Sequence, residues 1–268
     1  MGAATHILTV DVGNTTTRLG VYTLPADRED AAAPELIGAC DLTTPDRATA
    51  DELRIQLAQA QGILPMAELA GSILSCVVPT LTETWRHALA SVAQTRPLVV
   101  GPGLKSGIRM RYDDPSEVGA DRIAGIVAAR AAYELPAVVV DLGTTTNFDV
   151  IDATGAFAGG IIAPGIALGA QSLARAAARL PIIELAAPKS LIGTSTRSAM
   201  QSGVVFGEVA RIDGLIEGIA GELGAAPTVI LTGGDAARIA PLLKHAATVD
   251  GDLTLRGLAL LWQKIRRG

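Results

Sequence analysis

The sequence predicts an α/β protein built as two similar halves, and three observations carry that reading. An Asp-x-Gly segment rich in Thr closes an apolar run twice, as "DVGNTTTRLG" from Asp11 and as "DLGTTTNFDV" from Asp141. Each half then alternates apolar strand-like runs with helical stretches, the order expected of mixed α/β layers. The composition, 49% hydrophobic and 18% charged over 268 residues, is that of a globular chain able to fill more than one ordinary core.

Taken in order, "HILTVDVGNTTTRLGVYTL" has two β-rich runs around Gly-Asn-Thr, the pattern of a strand, a tight turn and an antiparallel return strand. "ADELRIQLAQAQGI" reads as a helix, "AGSILSCVV" as a buried strand, "PTLTETWRHALASVAQ" as a helix and "RPLVVGP" as a further strand. Pro115 and Gly119 punctuate "YDDPSEVGADR", which places a domain boundary there: residues 1–116 and 117–268, with the final helix free to pack back on the first domain. The second half repeats the layout. "AVVVDLGTTTNFDVID" is again a strand pair, and "GAFAGGIIAPG" adds a short strand. The helical stretches "ALGAQSLARAAARL" and "TRSAMQSGVVFGEVARIDGLIEGIAGEL", the strand "PTVILTGGDA" and the last helix "DLTLRGLALLWQKIRR" follow. "ARAAARL" and "AAPKSL" read as a helix packed closely on a sheet and then a loop, with no chemistry attached.

Bulk properties exclude several classes. A net charge of −5, from 22 basic and 27 acidic residues, gives no basic field for a nucleic-acid backbone. Cys40 and Cys76 are too few for a disulfide framework and lack metal-ligand spacing, which fits a reducing compartment. "MGAATHILTVDVG" shows neither a signal-peptide pattern nor, with His6 where Ser or Thr is needed, a myristoylation pattern. No unbroken apolar run reaches the roughly 18 residues that span a bilayer. The expectation is a cytoplasmic protein with no membrane partner.

The chemistry is concentrated in the turns. Gly13, Asn14, Thr15 and Thr16 after a strand offer backbone N–H groups and hydroxyls to an anion, and glycine lets a phosphate approach the main chain. A carboxylate beside such a turn, Asp11, suits a divalent cation that bridges phosphates. Asp141, Gly143, Thr144, Thr145 and Thr146 present the same groups from the other half. Either copy alone reads equally well as ordinary hairpin chemistry. The pair, joined by "VILTGGDAAR" with Thr232, Gly233 and Gly234 between a strand and a helix, favours a nucleotide. Neither G-x-x-x-x-G-K-[ST] nor a G-x-G-x-x-G after a strand occurs, so the two familiar nucleotide cradles lack their residues.

In that order the motifs "DVGNTTTRLGVY", "GLKSGIRMRYDDPSEVGADRIAG", "VVVDLGTTTNFDVID", "GGIIAPGIALGAQSLARAAARLP", "IGTSTRSAMQSGVVFG", "LTGGDA" and "LTLRGLALLW" are recognisable, and the chain resembles the type III pantothenate kinases of bacteria. The resemblance implies the acetate and sugar kinase, Hsp70 and actin superfamily fold: two ribonuclease-H-like, actin-like ATPase domains with a cleft between them that holds ATP. It also implies a homodimer. Carried over, Asp11, Val12, Gly13, Asn14, Thr15, Thr16, Thr17 and Arg18 correspond to the first phosphate turn, with Asp11 a candidate Mg²⁺ contact. Thr144, Gly233 and Gly234 would meet ATP, and Asp141 would hold the monovalent cation, K⁺ or NH₄⁺. Gly119, Ala120, Asp121 and Arg122 match the family's Gly-Ala-Asp-Arg segment, in which the Asp is the catalytic base and its neighbours contact pantothenate. Tyr112 and Thr196 fall at further pantothenate positions.

Elementary chemistry agrees with these roles. A carboxylate within hydrogen-bond reach can accept the proton of a primary alcohol as its O–P bond forms, and Arg122 can bind a carboxylate through paired donors. Read alone, Gly-Ala-Asp-Arg is equally a helix start with an acid in its first turn, Thr196 a helix cap and Tyr112 a surface or interface aromatic. Leu142, Thr145 and Asn147 depart from the usual second turn, and Thr194 stands where a basic residue is common. The implied activity is phosphorylation of pantothenate to 4'-phosphopantothenate at the start of coenzyme A synthesis. A superfamily kinase for another small alcohol and a catalytically idle, nucleotide-binding regulatory relative are the rival readings.

Overall fold

The computed structural model describes residues 5–25, 33–66, 68–177 and 179–267. Part of the N-terminal stretch read above, residues 1–4, lies outside them. By contacts the chain forms two units, Met1–Ile108 with Asp113–Ala131 and Asp252–Gly268, and Arg109–Tyr112 with Ala132–Gly251. The stretch Asp113–Ala131 thus groups with the first unit, whereas a boundary at residue 116 assigns most of it to the second half.

The first unit carries β1 (Thr5–Val12), β2 (Thr16–Leu24), β3 (Glu35–Thr43), β4 (Leu69–Cys76) and β5 (Leu98–Val99) in one sheet of order β3-β2-β1-β4-β5. The strands β1, β2 and β3 pair antiparallel, while β4 runs parallel to β1 and β5 parallel to β4. Its helices are α1 (Ala50–Ala60), α2 (Pro79–Val92) and α3 (Ala120–Ala132). A capping box between Thr49 and Glu52 starts α1, and a proline in the first turn starts α2. β1 is buried without alternation from Ile7 to Val10, as befits a central strand covered on both faces. Leu53 and Leu57 of α1 and Leu81 and Trp85 of α2 pack with Leu8, Val10 and Val12 into one core.

The second unit carries β6 (Ala137–Leu142), β7 (Thr145–Ile151), β8 (Phe157–Pro164), β9 (Thr228–Thr232) and β10 (Ala247–Val249). Its sheet order is β10-β9-β6-β7-β8, with β6, β7 and β8 antiparallel and β9 and β10 parallel additions. Read from the other edge this is the arrangement of the first sheet, and each half uses its first strand as the centre. The helices are α4 (Ile166–Ala176), α5 (Thr196–Gln201), α6 (Gly207–Leu223) and the short α7 (Ala236–Ile239). What the sequence presents as one helix from Thr196 is interrupted by a π-helical turn, Ser202–Phe206, between α5 and α6. Val209, Ile212 and Ile216 of α6 lie against Val138, Val140 and Leu142 of β6 in the second core. Gly224 ends α6 at φ 69°, a left-handed closure that glycine adopts at little cost.

Helix α8 (Leu253–Arg267) returns the chain to the first unit and packs on β1, β2 and β4. It also meets α3 closely, since a Cβ at Gly257 would stand 1.9 Å from the Ala124 carbonyl oxygen. The strands β3 and β10 have no counterpart in the sequence-based expectation. β3 is an edge strand interrupted by Gly38 and Asp41 and nowhere fully buried, and β10 is three residues long, so neither offers a continuous apolar run. No described helix is long and apolar enough to cross a membrane.

Candidate active site

Asp11 lies near the end of β1, opposite Arg18 on β2 and Ser75 on β4. The hairpin closes through Gly13 N–H donating to the Thr16 carbonyl at 3.0 Å, and a Cβ at Gly13 would come within 3.0 Å of that oxygen. Asn14, Thr15 and Thr16 are exposed at the tip, where their N–H groups and hydroxyls can meet a ligand. Val12 and Thr17 are fully buried: Val12 belongs to the core, and the Thr17 hydroxyl bonds that of Thr44 at 2.8 Å. Arg18 pairs with Asp252 at 2.9 Å and Asp41 at 3.3 Å. Burial pushes the Asp11 carboxyl up to about 7, the nearby Asp121 charge adds to the rise, and Ser75 and Arg18 pull the other way. Its Oδ1 is enclosed and receives no hydrogen bond.

Asp121 sits in the first turn of α3, where Arg122 N–H donates to its Oδ1 at 2.8 Å. Burial raises its pKa, while the Arg122 N–H and guanidinium oppose the rise. Gly119 opens the helix, with its carbonyl accepting from Ile123 N–H at 3.1 Å. A Cβ there would lie 2.5 Å from Asp121 Oδ1, so the carboxylate has room only because residue 119 has no side chain. Ala120 and Arg122 are buried. The first unit therefore brings Asp11 and Asp121 close enough to perturb each other, although they are remote in sequence. Two buried carboxyls that repel each other retain protons to higher pH, a pattern concentrated at reactive and cation-binding sites.

In the second unit Asp141 occupies the matching place near the end of β6, opposite Asn147 on β7 and Thr232 on β9. Gly143 N–H donates to the Thr145 carbonyl at 3.0 Å, repeating the closure of the first hairpin, and Thr144 is exposed at the tip. Gly233 has φ 88°, and a Cβ there would lie 2.5 Å from Asp141 Oδ1 and 2.6 Å from the Leu142 carbonyl oxygen. A carboxylate oxygen and a carbonyl oxygen thus converge where glycine keeps the space open, an oxygen-donor set suited to a hard cation. Gly234 is exposed with open space around it. Gly165, which the sequence did not single out, donates its N–H to the Thr144 carbonyl at 3.1 Å, and a Cβ there would be 2.4 Å from the Gly143 carbonyl.

Tyr112 stacks on Phe157 with ring centroids 5.5 Å apart and planes 9° from parallel. The segment before it is tied to the start of β8, with Arg111 N–H donating to the Phe157 carbonyl at 2.8 Å and Arg111 pairing with Asp152 at 2.8 Å. Thr196 is exposed at the first position of α5. The capping expectation for it is corrected: Ser195 is the cap, in a reciprocal box with Ser198. Among the described residues no three His, Cys, Asp or Glu side chains gather as a metal cage.

Residues 7–218 match the family model for type III pantothenate kinase. The chain belongs to the type III pantothenate kinase family. It is 41% identical over 260 residues to the type III pantothenate kinase of Dehalococcoides mccartyi, covering 96% of this chain and 97% of that protein. To the one from Moorella thermoacetica it is 40% identical over 261 residues, 96% of this chain and 99% of that one. Among solved structures, a conserved putative Baf family transcriptional activator from Campylobacter jejuni aligns with TM-score 0.61 and 21% identity over 97% of this chain and 100% of that one. The activator of 2-hydroxyisocaproyl-CoA dehydratase from Clostridium difficile, solved with bound ADPNP, aligns with TM-score 0.53 and 10% identity over 99% and 98% of the two chains. These likenesses show the fold, the actin-like ATPase class, here with its two five-stranded sheets. Within the kinase family, the glycines at 119 and 233 that leave room for a carboxylate oxygen stand in motifs the resemblance had singled out, as does Gly165, which was given no role there, whereas Ser75 lies in none of them.

Proposed function

We propose that this member of the family transfers the γ-phosphoryl group of ATP to the terminal hydroxyl of pantothenate, giving 4'-phosphopantothenate and ADP at the start of coenzyme A synthesis. The observation that carries the reading is the half-buried Asp121, held by Arg122 N–H at the start of α3 beside Asp11 and with its pKa raised by burial. In this reading Asp121 orients the alcohol and accepts its proton as the new O–P bond forms and the terminal phosphoanhydride bond breaks. Gly119, Ala120, Arg122, Tyr112 and Thr196 bind pantothenate, with Arg122 directed at its carboxylate. The exposed N–H groups and hydroxyls of residues 13–16, with Thr144, Gly233 and Gly234, take ATP oxygens.

The residues present fit the two cations the reaction implies. Asp11 Oδ1, enclosed and without a donor, suits Mg²⁺ or one of its waters, and Asp141 Oδ1 with the Leu142 carbonyl suits K⁺ or NH₄⁺. Bound there, the cations would neutralise phosphate charge. The chain's own contribution is to hold the donors in place. A homodimer is part of the proposal, supported by the exposed Ile182, Leu191 and Ile192 after α4 and by an apolar cavity of about 450 Å³ between α4 and residues 182–185. A cytoplasmic location is proposed too, in keeping with Cys40 and Cys76 as free thiols.

The test is a coupled ADP-release assay with pantothenate, ATP, Mg²⁺ and K⁺, each omitted in turn. Turnover that needs all four supports the proposal, and ADP release independent of pantothenate ends it.

A further inference from the structure

We propose that Glu208 and Arg211 are positioning residues for the second phosphate turn, an assignment that rests on the kinase reading and deepens it. Glu208 is a nearly fully buried acid in the first turn of α6. Its Oε1 accepts the buried Thr146 hydroxyl at 2.7 Å, and its Oε2 pairs with Arg211 one turn further along the helix. The same Arg211 nitrogen donates to the Pro164 carbonyl at 2.7 Å and lies 3.4 Å from Thr146 Oγ1. One carboxylate and one guanidinium thus join three elements: helix α6, strand β7 at Thr146, and the end of β8 at Pro164.

What they join borders the ligand turn on both sides. Thr146 follows the Gly143–Thr145 turn, and Thr145 and Thr146 pair in register with Pro164 and Ala163. The residue after Pro164 is Gly165, whose N–H holds the Thr144 carbonyl at 3.1 Å. The Gly165 Cα hydrogen faces the Gly143 and Thr144 carbonyls, which a Cβ would meet at 2.4 and 2.5 Å. The orientation of the turn N–H groups is therefore set by where the Pro164–Gly165 peptide sits. Arg211 fixes one side of that peptide through the Pro164 carbonyl, and Glu208 fixes Arg211.

The π-helical turn Ser202–Phe206 stands immediately before Glu208. Such a turn holds one residue more than an α-turn and re-aims the side chains that follow it, a device often found at functional sites. An ion pair with one member buried, as here, is weak evidence of added stability, because desolvation offsets much of its attraction. Its worth here is geometric: donors held in place before the nucleotide arrives need no reorganisation when it binds.

The test uses the full chain and four variants, Glu208→Gln, Arg211→Met, Arg211→Lys and the double Glu208→Gln/Arg211→Met. ATP affinity is read by calorimetry with Mg²⁺ and no pantothenate, and thermal stability is read in parallel. Arg211→Met strands the buried Glu208, and Glu208→Gln removes the half-buried Arg211's ionic partner, so both should lose stability, the first more, and bind ATP about tenfold more weakly. The double variant leaves no unpaired charge; it should regain most of the lost stability and keep the weak ATP binding. Arg211→Lys retains a donor for Glu208 or Pro164 and should fall between Arg211→Met and the parent. In turnover assays KM for ATP should rise with KM for pantothenate nearly unchanged. A double variant that regains stability and ATP affinity together overturns the proposal, because the pair is then structural only. Single variants that bind ATP as the parent does also overturn it. If the parent binds ATP but phosphorylates no pantothenate, the kinase reading fails while the brace is still judged on ATP affinity.

Discussion

Removing the charge of Asp11 should make the protein less sensitive to alkali. Its carboxyl is raised from 3.8 to about 7, chiefly by burial and next by the Asp121 charge. A raised carboxyl favours the folded state while protonated, so its contribution is fully present below the unfolded value of 3.8 and is lost as pH rises through about 7. The shift of about 3 units corresponds to a total of about 4 kcal/mol between the two limits. Between about pH 6 and pH 8 the unfolded carboxyl stays ionised while the folded one loses its proton, so the parent should lose about 1.4 kcal/mol over that interval from this group. Asp11→Asn is nearly isosteric and neutral, and its stability should fall by about 1.4 kcal/mol less. Some slope remains, because Asp121 is raised by its own burial and the two titrate as a pair. Urea unfolding without Mg²⁺ or nucleotide, followed by tryptophan fluorescence, measures the right unit, since Trp85 and Trp262, the chain's two tryptophans, both lie in the unit that holds Asp11. An Asn variant as pH-sensitive as the parent would show that the burial of Asp11 has been misjudged.

Four further outcomes follow from the geometry. Asp121→Asn should lower kcat by about 10²-fold or more with the fold intact by circular dichroism, and near-normal turnover would remove the assigned base. The parent's kcat/KM should rise with pH up to a limit above the ordinary carboxyl range, because the base must be ionised and burial raises Asp121; a flat profile from about pH 4 upward would contradict this. Gly233→Ala puts a Cβ 2.5 Å from Asp141 Oδ1 at φ 88°, so dependence on K⁺ should weaken or vanish together with most activity, and melting should show a loss of at least about 1 kcal/mol. Gly257→Ala would put a Cβ 1.9 Å from the Ala124 carbonyl oxygen, forcing α8 and α3 apart, and should cost about 2 kcal/mol or more in denaturant titration, with kcat falling because α3 carries Asp121.

How much could be read beforehand depended on the range over which each signal acts. The two hairpins were legible because their determinants are local: a β-rich run, Gly13 or Gly143 at the closure, and a second β-rich run. Helix α1 was legible in "ADELRIQLAQAQGI", and its capping box between Thr49 and Glu52 is equally local. The return of α8 to the first domain was expected as an option, whereas the grouping of α3 with the first sheet was not; both depend on contacts between residues far apart in sequence, Gly257 meeting Ala124 and Gly71 leaving room for Trp262. Within the site, Gly13 and Gly233 carried readable signals because a turn demands them. Ser75 beside Asp11 and Thr44 under Thr17 did not, and Gly165, though inside a recognised motif, gave no sign of its contact with Thr144, since each acts on a turn from another segment. Glu208 and Arg211 were the least legible of all. They lie in a stretch read only as helix, and nothing local in it marks the packing against β7 that buries Glu208 and leaves Arg211 half-buried.

The duplicated topology explains why two nearly identical turns can carry different chemistry. Asp11 and Asp141 occupy the same place in their sheets, near the end of the central strand and between an antiparallel and a parallel neighbour. The cross-strand partners differ: Asp11 faces Arg18 and Ser75, whereas Asp141 faces Asn147 and Thr232. Arg18 divides its charge among Asp41, Asp252 and Asp11, so it only partly offsets the burial of Asp11 and the nearby Asp121. A carboxyl kept near neutrality in this way suits the exchangeable divalent-cation contact proposed for Asp11. Asp141 has a neutral amide opposite it, where Asp11 has a guanidinium, and the Leu142 carbonyl oxygen lies close by. Asn147→Arg tests the distinction by giving the second turn the first turn's charge. It should abolish the K⁺ requirement while ATP still binds; a K⁺ requirement unchanged in that variant would show that the cation site does not depend on Asp141.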